Sequence, residues 1–136
     1  DAEGVHVGDA AQTQYGFSIR YEPFHNSYIK LKNTSFDDYY SDFDPLSLNG
    51  ENSGRESWKI PAYSLLDLHA GYRFKISKKT KMSLTFSVLN LFDEIYLSDA
   101  QNNDPYNTSS SDFDAKSAGI FFGLGRRINV SAKFIF

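Results

Sequence analysis

Asp67, His69 and Arg73 share one parity in SLLDLHAGYRF, residues 64 to 74, and together could do acid–base chemistry. In an extended strand that spacing puts a carboxylate, an imidazole and a guanidinium on one face. No nucleophile or fixed water site accompanies them, so a polar row along a strand is the preferred account. No catalytic residue is assigned, and the chain is not read as an enzyme. Asp37, Asp38, Asp42 and Asp44 offer oxygens of the kind that Ca²⁺ takes, yet they lack the ordered spacing and glycine of an EF-hand loop. Polar runs are usually solvent-facing loops, so no cofactor is assigned there. His6, His25 and His69 fall on separate elements without zinc-ligand spacing. Gly123 and Gly125 have no further glycine, lysine or helix start to make a phosphate loop. A bulge in a strand accounts for them. With 0 cysteines there is no disulfide, thiolate metal site or cysteine nucleophile.

The elements that would carry these residues are strands. Tyr15, Phe17, Ile19 and Tyr21 alternate with Gly16, Ser18, Arg20 and Glu22, and Pro23 to Asn26 reads as a tight turn. Ile29 and Leu31, between Lys30 and Lys32, open a second strand running to about Phe36. Residues 37–58 carry Asp, Ser, Asn and Gly without an apolar period and predict a long loop. Leu66, Leu68, Ala70, Tyr72, Phe74 and Ile76 restore the alternation, SKKT at 77–80 turns the chain, and Met82, Leu84, Phe86 and Val88 continue it. A second polar loop is predicted over 98–117. From Ala118 through Ile120, Phe122, Leu124, Ile128 and Val130 to Phe136 the even parity is broken only by Arg126, which predicts one bulged strand. The count is five strands.

Short and long connections alternate, so an antiparallel meander would gather the long loops at one end and the short turns at the other. Outer-membrane barrels have that asymmetry. Mean hydropathy is −0.46, and no run approaches the 18 or so apolar residues of a spanning helix, but a barrel hides its lipid face in every second residue. The 136 residues include 12 Phe and 9 Tyr, and Tyr63, Tyr72, Phe74, Phe92 and Tyr96 near strand ends could form interface girdles. The opening DAEGVHVGDA reads as internal to a longer precursor, and the closing NVSAKFIF is a strand ending on an aromatic residue. A net charge of −3 gives no case for a nucleic-acid partner. The competing fold is a soluble antiparallel sandwich, whose strands alternate in the same way.

IPAYSLLDLHAGYRF, VLNLFDEIYLSDA and GLGRRINVSAKFIF, in that order and spacing, resemble the carboxy-terminal end of TonB-dependent outer-membrane receptors and look most like those of Bacteroidetes-type bacteria. Asn90, Leu91, Phe92, Asp93 and Tyr96 match the family's Asn-Leu-Phe-Asp motif, and Phe136 its terminal aromatic. The likeness covers residues 60–136, and 11–36 by pattern only. It implies the last five strands of a roughly 22-stranded, up-and-down transmembrane β-barrel in the bacterial outer membrane, with the plug domain and other strands elsewhere. The implied function is wall and extracellular loops of a transporter importing a scarce ligand: a siderophore, vitamin, oligosaccharide or peptide. Implied partners are outer-membrane lipid, the remaining barrel and plug, TonB through that plug, and the barrel-assembly machinery, for which Phe136 and Phe134 would be the signal. A surface lipoprotein is a further candidate. Tyr39, Tyr40, Phe43, Trp58, Tyr106 and Phe113 would be loop aromatics that either contact ligand or pack on one another. The alternatives are a soluble secreted binding module and a passive porin-type barrel.

Overall fold

The computed structural model describes residues 3–48, 50, 53–102 and 118–136. Its strands are β1 (Ala11–Tyr21), β2 (Ser27–Tyr40), β3 (Lys59–Ile60), β4 (Tyr63–Lys75), β5 (Lys81–Leu89), β6 (Leu97–Asn102), β7 (Ala118–Phe122) and β8 (Arg127–Ile135), with a 3-10 turn at Pro45–Ser47. The fold is all-β, and no α-helix occurs among the described residues. One sheet runs in the order β1-β2-β4-β5-β8 with β3 beside β2, and β6 pairs with β7 in a second. The larger sheet is open, with β1 and β8 at its edges. Two compact units divide the chain: residues 1–14, 36–63 and 95–123 form one, and 15–35, 64–94 and 124–136 the other.

In the second unit the register turns alternation into faces. Leu68, Ala70, Tyr72 and Phe74 of β4 stand opposite Val88, Phe86, Leu84 and Met82 of β5, which in turn oppose Ile128, Val130, Ala132 and Phe134 of β8. Four apolar rows therefore cross three strands on one face. The intervening residues form rows of the opposite kind, such as His69–Ser87–Asn129 and Arg73–Ser83–Lys133. Successive strand residues point to opposite sides, so these two sets cannot mix. Tyr28 of β2 joins the polar side: its ring lies directly over Gly71, in the space a Cβ there would take. The Arg20 guanidinium covers that ring 4.4 Å from its centre, which places β1 on the same ladder of contacts.

The two short turns close as expected. Ser27 is buried, and its hydroxyl donates to Phe24 O at 2.7 Å while its N–H donates to the same oxygen at 3.1 Å. In the other turn the Ser77 hydroxyl accepts from the N–H groups of Lys79 and Thr80, at 3.3 and 3.2 Å. The first unit has a small core of its own in which Tyr39, Ile60 and Ala100 are buried, with Trp58, Tyr63 and Leu97 packed around them.

Several sequence expectations need correction. The second strand continues past Phe36 to Tyr40, because Tyr39 and Tyr40 pair with Ile60 and Lys59 of the short β3. The predicted loop at 98–117 begins with β6, whose LSDAQN has no apolar period and gains its ladder by pairing with β7. The expected single closing strand is two, since residues 123–126 leave the ladder. The expected bulge at Gly123 and Gly125 is thus a full break, and among the described residues the strands number eight rather than five.

The Gly71 contact gives a measurable consequence. Gly71→Ala drives a methyl group into the Tyr28 ring and is expected to destabilise by about 1–3 kcal/mol, as overpacking does. In a Tyr28→Ala background the same change should cost less than half as much, read from denaturant midpoints of the four proteins in a double-mutant cycle.

Candidate functional site

The motif residues 90–96 form a clasp. Asn90 follows the last residue of β5 with a positive φ of 52°, and Asp93 comes after with 57°, a region Asn and Asp enter at lower cost than most residues. Asn90 is buried. Its carboxamide oxygen accepts from Glu94 N–H at 2.8 Å, and its NH₂ donates to the carbonyls of Glu94 at 2.9 Å and Leu124 at 3.3 Å. Its own N–H donates to Asp67 Oδ1 at 3.0 Å, and Leu91 N–H donates to Leu66 O at 2.7 Å. Asp93 Oδ1 accepts from Arg126 N–H at 2.7 Å. Tyr96 covers Gly123 with its ring, and its carbonyl accepts from Gly123 N–H at 2.8 Å. The residues that break the final strand are therefore the ones the motif holds. Phe92 makes the opposite choice, with 75 % of its surface exposed.

The acid–base row does not assemble as a proton relay. His69 Nδ1 lies 3.0 Å from the Ser87 hydroxyl across the ladder, while Asp67 is engaged by Asn90. Arg73 pairs with Ser83 across β4 and β5, four positions beyond His69. The histidines His6, His25 and His69 are not gathered either, and no group of three His, Asp or Glu suited to a metal occurs among the described residues. Of the four loop aspartates, Asp44 Oδ1 caps the 3-10 turn through Leu46 N–H at 2.8 Å, and Asp42 Oδ1 accepts from Phe43 N–H at 2.9 Å. Asp37 and Asp38 instead flank Lys59, whose Nζ lies 3.0 and 2.7 Å from their oxygens.

That arrangement sets their charge. The N–H of Asp38 and then the Lys59 ammonium hold the Asp37 carboxyl below its ordinary range, and Lys59 followed by the Thr13 hydroxyl does the same for Asp38. The two carboxylates raise Lys59 in return. Glu56 is lowered as well: burial pushes it up, but the His6 ring at 2.6 Å and His6 N–H at 3.0 Å outweigh this.

The loop aromatics divide by environment. Tyr39 is buried, its hydroxyl donates to Ser98 O at 2.8 Å, and burial followed by the Asp99 charge pushes its phenol up to about 12. It is a core residue. Tyr40 stacks on His6 at 4.3 Å, Trp58 packs against the small core, and Phe43 is half-buried. Tyr106 and Phe113 lie outside the described residues. Phe134 sits opposite Met82 on the apolar face, and Phe136 is 94 % exposed. Sequence pattern missed the stack of Phe36 on Tyr63 at 4.8 Å and of Tyr63 on Tyr96 at 4.5 Å, since three separate segments supply it. Comparison with family models, curated proteins and solved structures gave no match.

Two outcomes follow from these contacts. Asn90→Ala loses the amide bonds and places Ala at positive φ, so unfolding free energy should fall by about 2–4 kcal/mol. Asn90→Gly should be milder by about 1 kcal/mol, because only the bonds are lost. For the Lys59 cluster the carboxyl pKa values are depressed on folding. Their stabilisation is then present above the ordinary carboxylate value and is lost as pH falls through the lower folded value. A thermal midpoint measured from pH 6 down to about 2 should drop more steeply in the parent protein than in Lys59→Met.

Proposed function

We propose that this chain is a section of wall, with its attached loops, of an outer-membrane β-barrel, and that the barrel is a TonB-dependent importer of a scarce ligand. The observation that carries the barrel reading is an apolar sheet face left open. Phe17, Ile19, Ile128 and Val130 are 62, 62, 63 and 74 % exposed, although cross-strand pairing lines up the apolar rows of β4, β5 and β8. A sandwich would bury such side chains beneath a second sheet. Lipid is the solvent that suits an apolar face backed by a polar one, where the polar side lines a water-filled interior. Strand length agrees: β2 has 14 residues and β4 13, against the 9–11 or so that a tilted strand needs to cross hydrocarbon.

The open edges of β1 and β8 call for further strands, because exposed ladder groups cannot face hydrocarbon. In this proposal they come from the rest of a longer polypeptide, with the chain as its carboxy-terminal part. The apolar end of β8, with Phe134 and Phe136, then serves as the signal for barrel assembly. The importer half of the proposal rests on the motif resemblance at Asn90, Leu91, Phe92, Asp93 and Tyr96. Those residues build a clasp between strands, so they serve the wall and not the ligand.

Cysteine placement tests the reading, since the chain has 0 of its own. In the parent protein within native membranes, single Cys at Phe86 or Val130 should resist a water-soluble maleimide and, once labelled with a fluorophore, be quenched by nitroxide lipids. Cys at Thr85 or Ser131 should show the reverse. Equal water access at all four sites, or a protein that stays soluble without detergent, would defeat the barrel. Phe86→Arg should also cost about 2–4 kcal/mol near the midplane, and Thr85→Arg little. Uptake that continues after the proton-motive force is collapsed would remove the importer half alone.

A further inference from the structure

Charge is sorted between the two units. Residues 1–14, 36–63 and 95–123 hold 13 Asp and Glu against 3 Lys and Arg, whereas 15–35, 64–94 and 124–136 hold 4 against 11. The net charge of −3 conceals this. Within the second unit, the cations gather on the polar face toward the short turns. Arg73, Ser83 and Lys133 form one row across β4, β5 and β8, so a hydroxyl stands between two cations, each on a neighbouring strand about 5 Å away. One step further, Lys75 is directly opposite Lys81, a like-charge pair that costs stability unless something answers it.

The same face carries a groove of about 490 Å³, lined by Arg20, Tyr28, Gly71, Arg73 and Ser83 among others. Arg20 is held in place there. Glu22 accepts from its Nε at 3.0 Å, and its guanidinium rests on the Tyr28 ring. Among the described residues this is the one ion pair of the second unit, and Arg73, Lys75, Lys81 and Lys133 have no acidic partner. Cations on one face, two of them flanking a hydroxyl and without acidic partners, are arranged to receive an anion. The volume suits a small molecule and not a folded partner.

We propose that this groove and the Arg73–Ser83–Lys133 row bind a small, multiply charged anion through carboxylate or phosphate oxygens. Two oxygens would meet Arg73, whose planar fork matches such groups, with the Ser83 hydroxyl donating between it and the Lys133 ammonium. Arg20, neutralised in part by Glu22, would close the rim. This deepens the importer reading, on which it rests for one point only: that the polar face looks onto water inside the barrel and so onto the path of a ligand.

The test titrates the full-length polypeptide carrying this chain, in detergent, with citrate and separately with tripolyphosphate, by calorimetry at low and high salt. Binding of either should weaken about tenfold in Arg73→Gln and again in Lys133→Gln, and fade at high salt. Lys78→Gln, in the turn, should stay within about twofold of the parent. Citrate alone would assign a carboxylate ligand, and tripolyphosphate alone a phosphate. Binding of neither, or binding indifferent to Arg73 and Lys133, overturns the proposal, as does capture of polyglutamate but not of either small anion. Solubility without detergent would instead strike the barrel reading, while the titration still reports on the groove.

Discussion

One constraint governs the six-stranded sheet: Val88 faces Leu68 on one side and Ile128 on the other, all with side chains on the same face. A slip of one residue in either pairing would turn a whole strand over, putting Ser87 or Asn129 into the apolar rows and Phe86 or Val130 among the polar ones. Whatever solvent meets the apolar face, that exchange costs several side chains at once. The face is therefore specified more strongly than any single contact could specify it. Tyr28 adds a second lock on the polar side, because only a glycine at position 71 leaves room for its ring.

The clasp at 90–96 explains how the chain keeps that register after a long excursion. Between the end of β5 at Leu89 and the start of β8 at Arg127 lie 37 residues, so loop entropy alone would leave the return point loosely defined. Asn90 grips Leu124 O, and Asp93 takes Arg126 N–H, one residue before Arg127 pairs with Leu89. The strand that returns is thus caught beside the strand that left. Breaking the ladder at 123–126 frees these carbonyl and N–H groups for the clasp, and Gly123 allows Tyr96 to lie on the backbone. What looks in the sequence like a bulge is the place where one partner's side chains substitute for a neighbouring strand.

Much of the sheet was legible because its signal is local. Tyr15 to Tyr21, Leu66 to Phe74 and Met82 to Val88 alternate over at least four apolar positions, and each lies within a strand. β6 was not legible: LSDAQN owes its strand to Ala118–Phe122, distant in sequence, and to a core where Ala100 is fully buried. The end of β2 was lost for a related reason, since the acidic Asp37 and Asp38 suggest a loop until Lys59 is seen beside them. The motif at Asn90 could be found, but not its work, because a hydrogen bond from its carboxamide to Leu124 O leaves no trace in residue spacing. Composition also misled about charge, for an average over both units erases the cationic face.

The two faces of the sheet place opposite demands on sequence. The apolar side asks for bulk and the absence of charge, and its rows accommodate side chains as different as Ala70, Met82, Leu84 and Phe86. The polar side has no such tolerance where Tyr28, Gly71 and Arg20 interlock, since ring, missing side chain and cation each depend on the other two. Lysines opposite one another at 75 and 81 are tolerable only near water or a counter-ion, which confines them to the short-turn end of that face. The apolar row Phe74–Met82–Phe134 and the cationic row Arg73–Ser83–Lys133 stand one residue apart along the same three strands and on opposite faces, so each strand meets both demands at once.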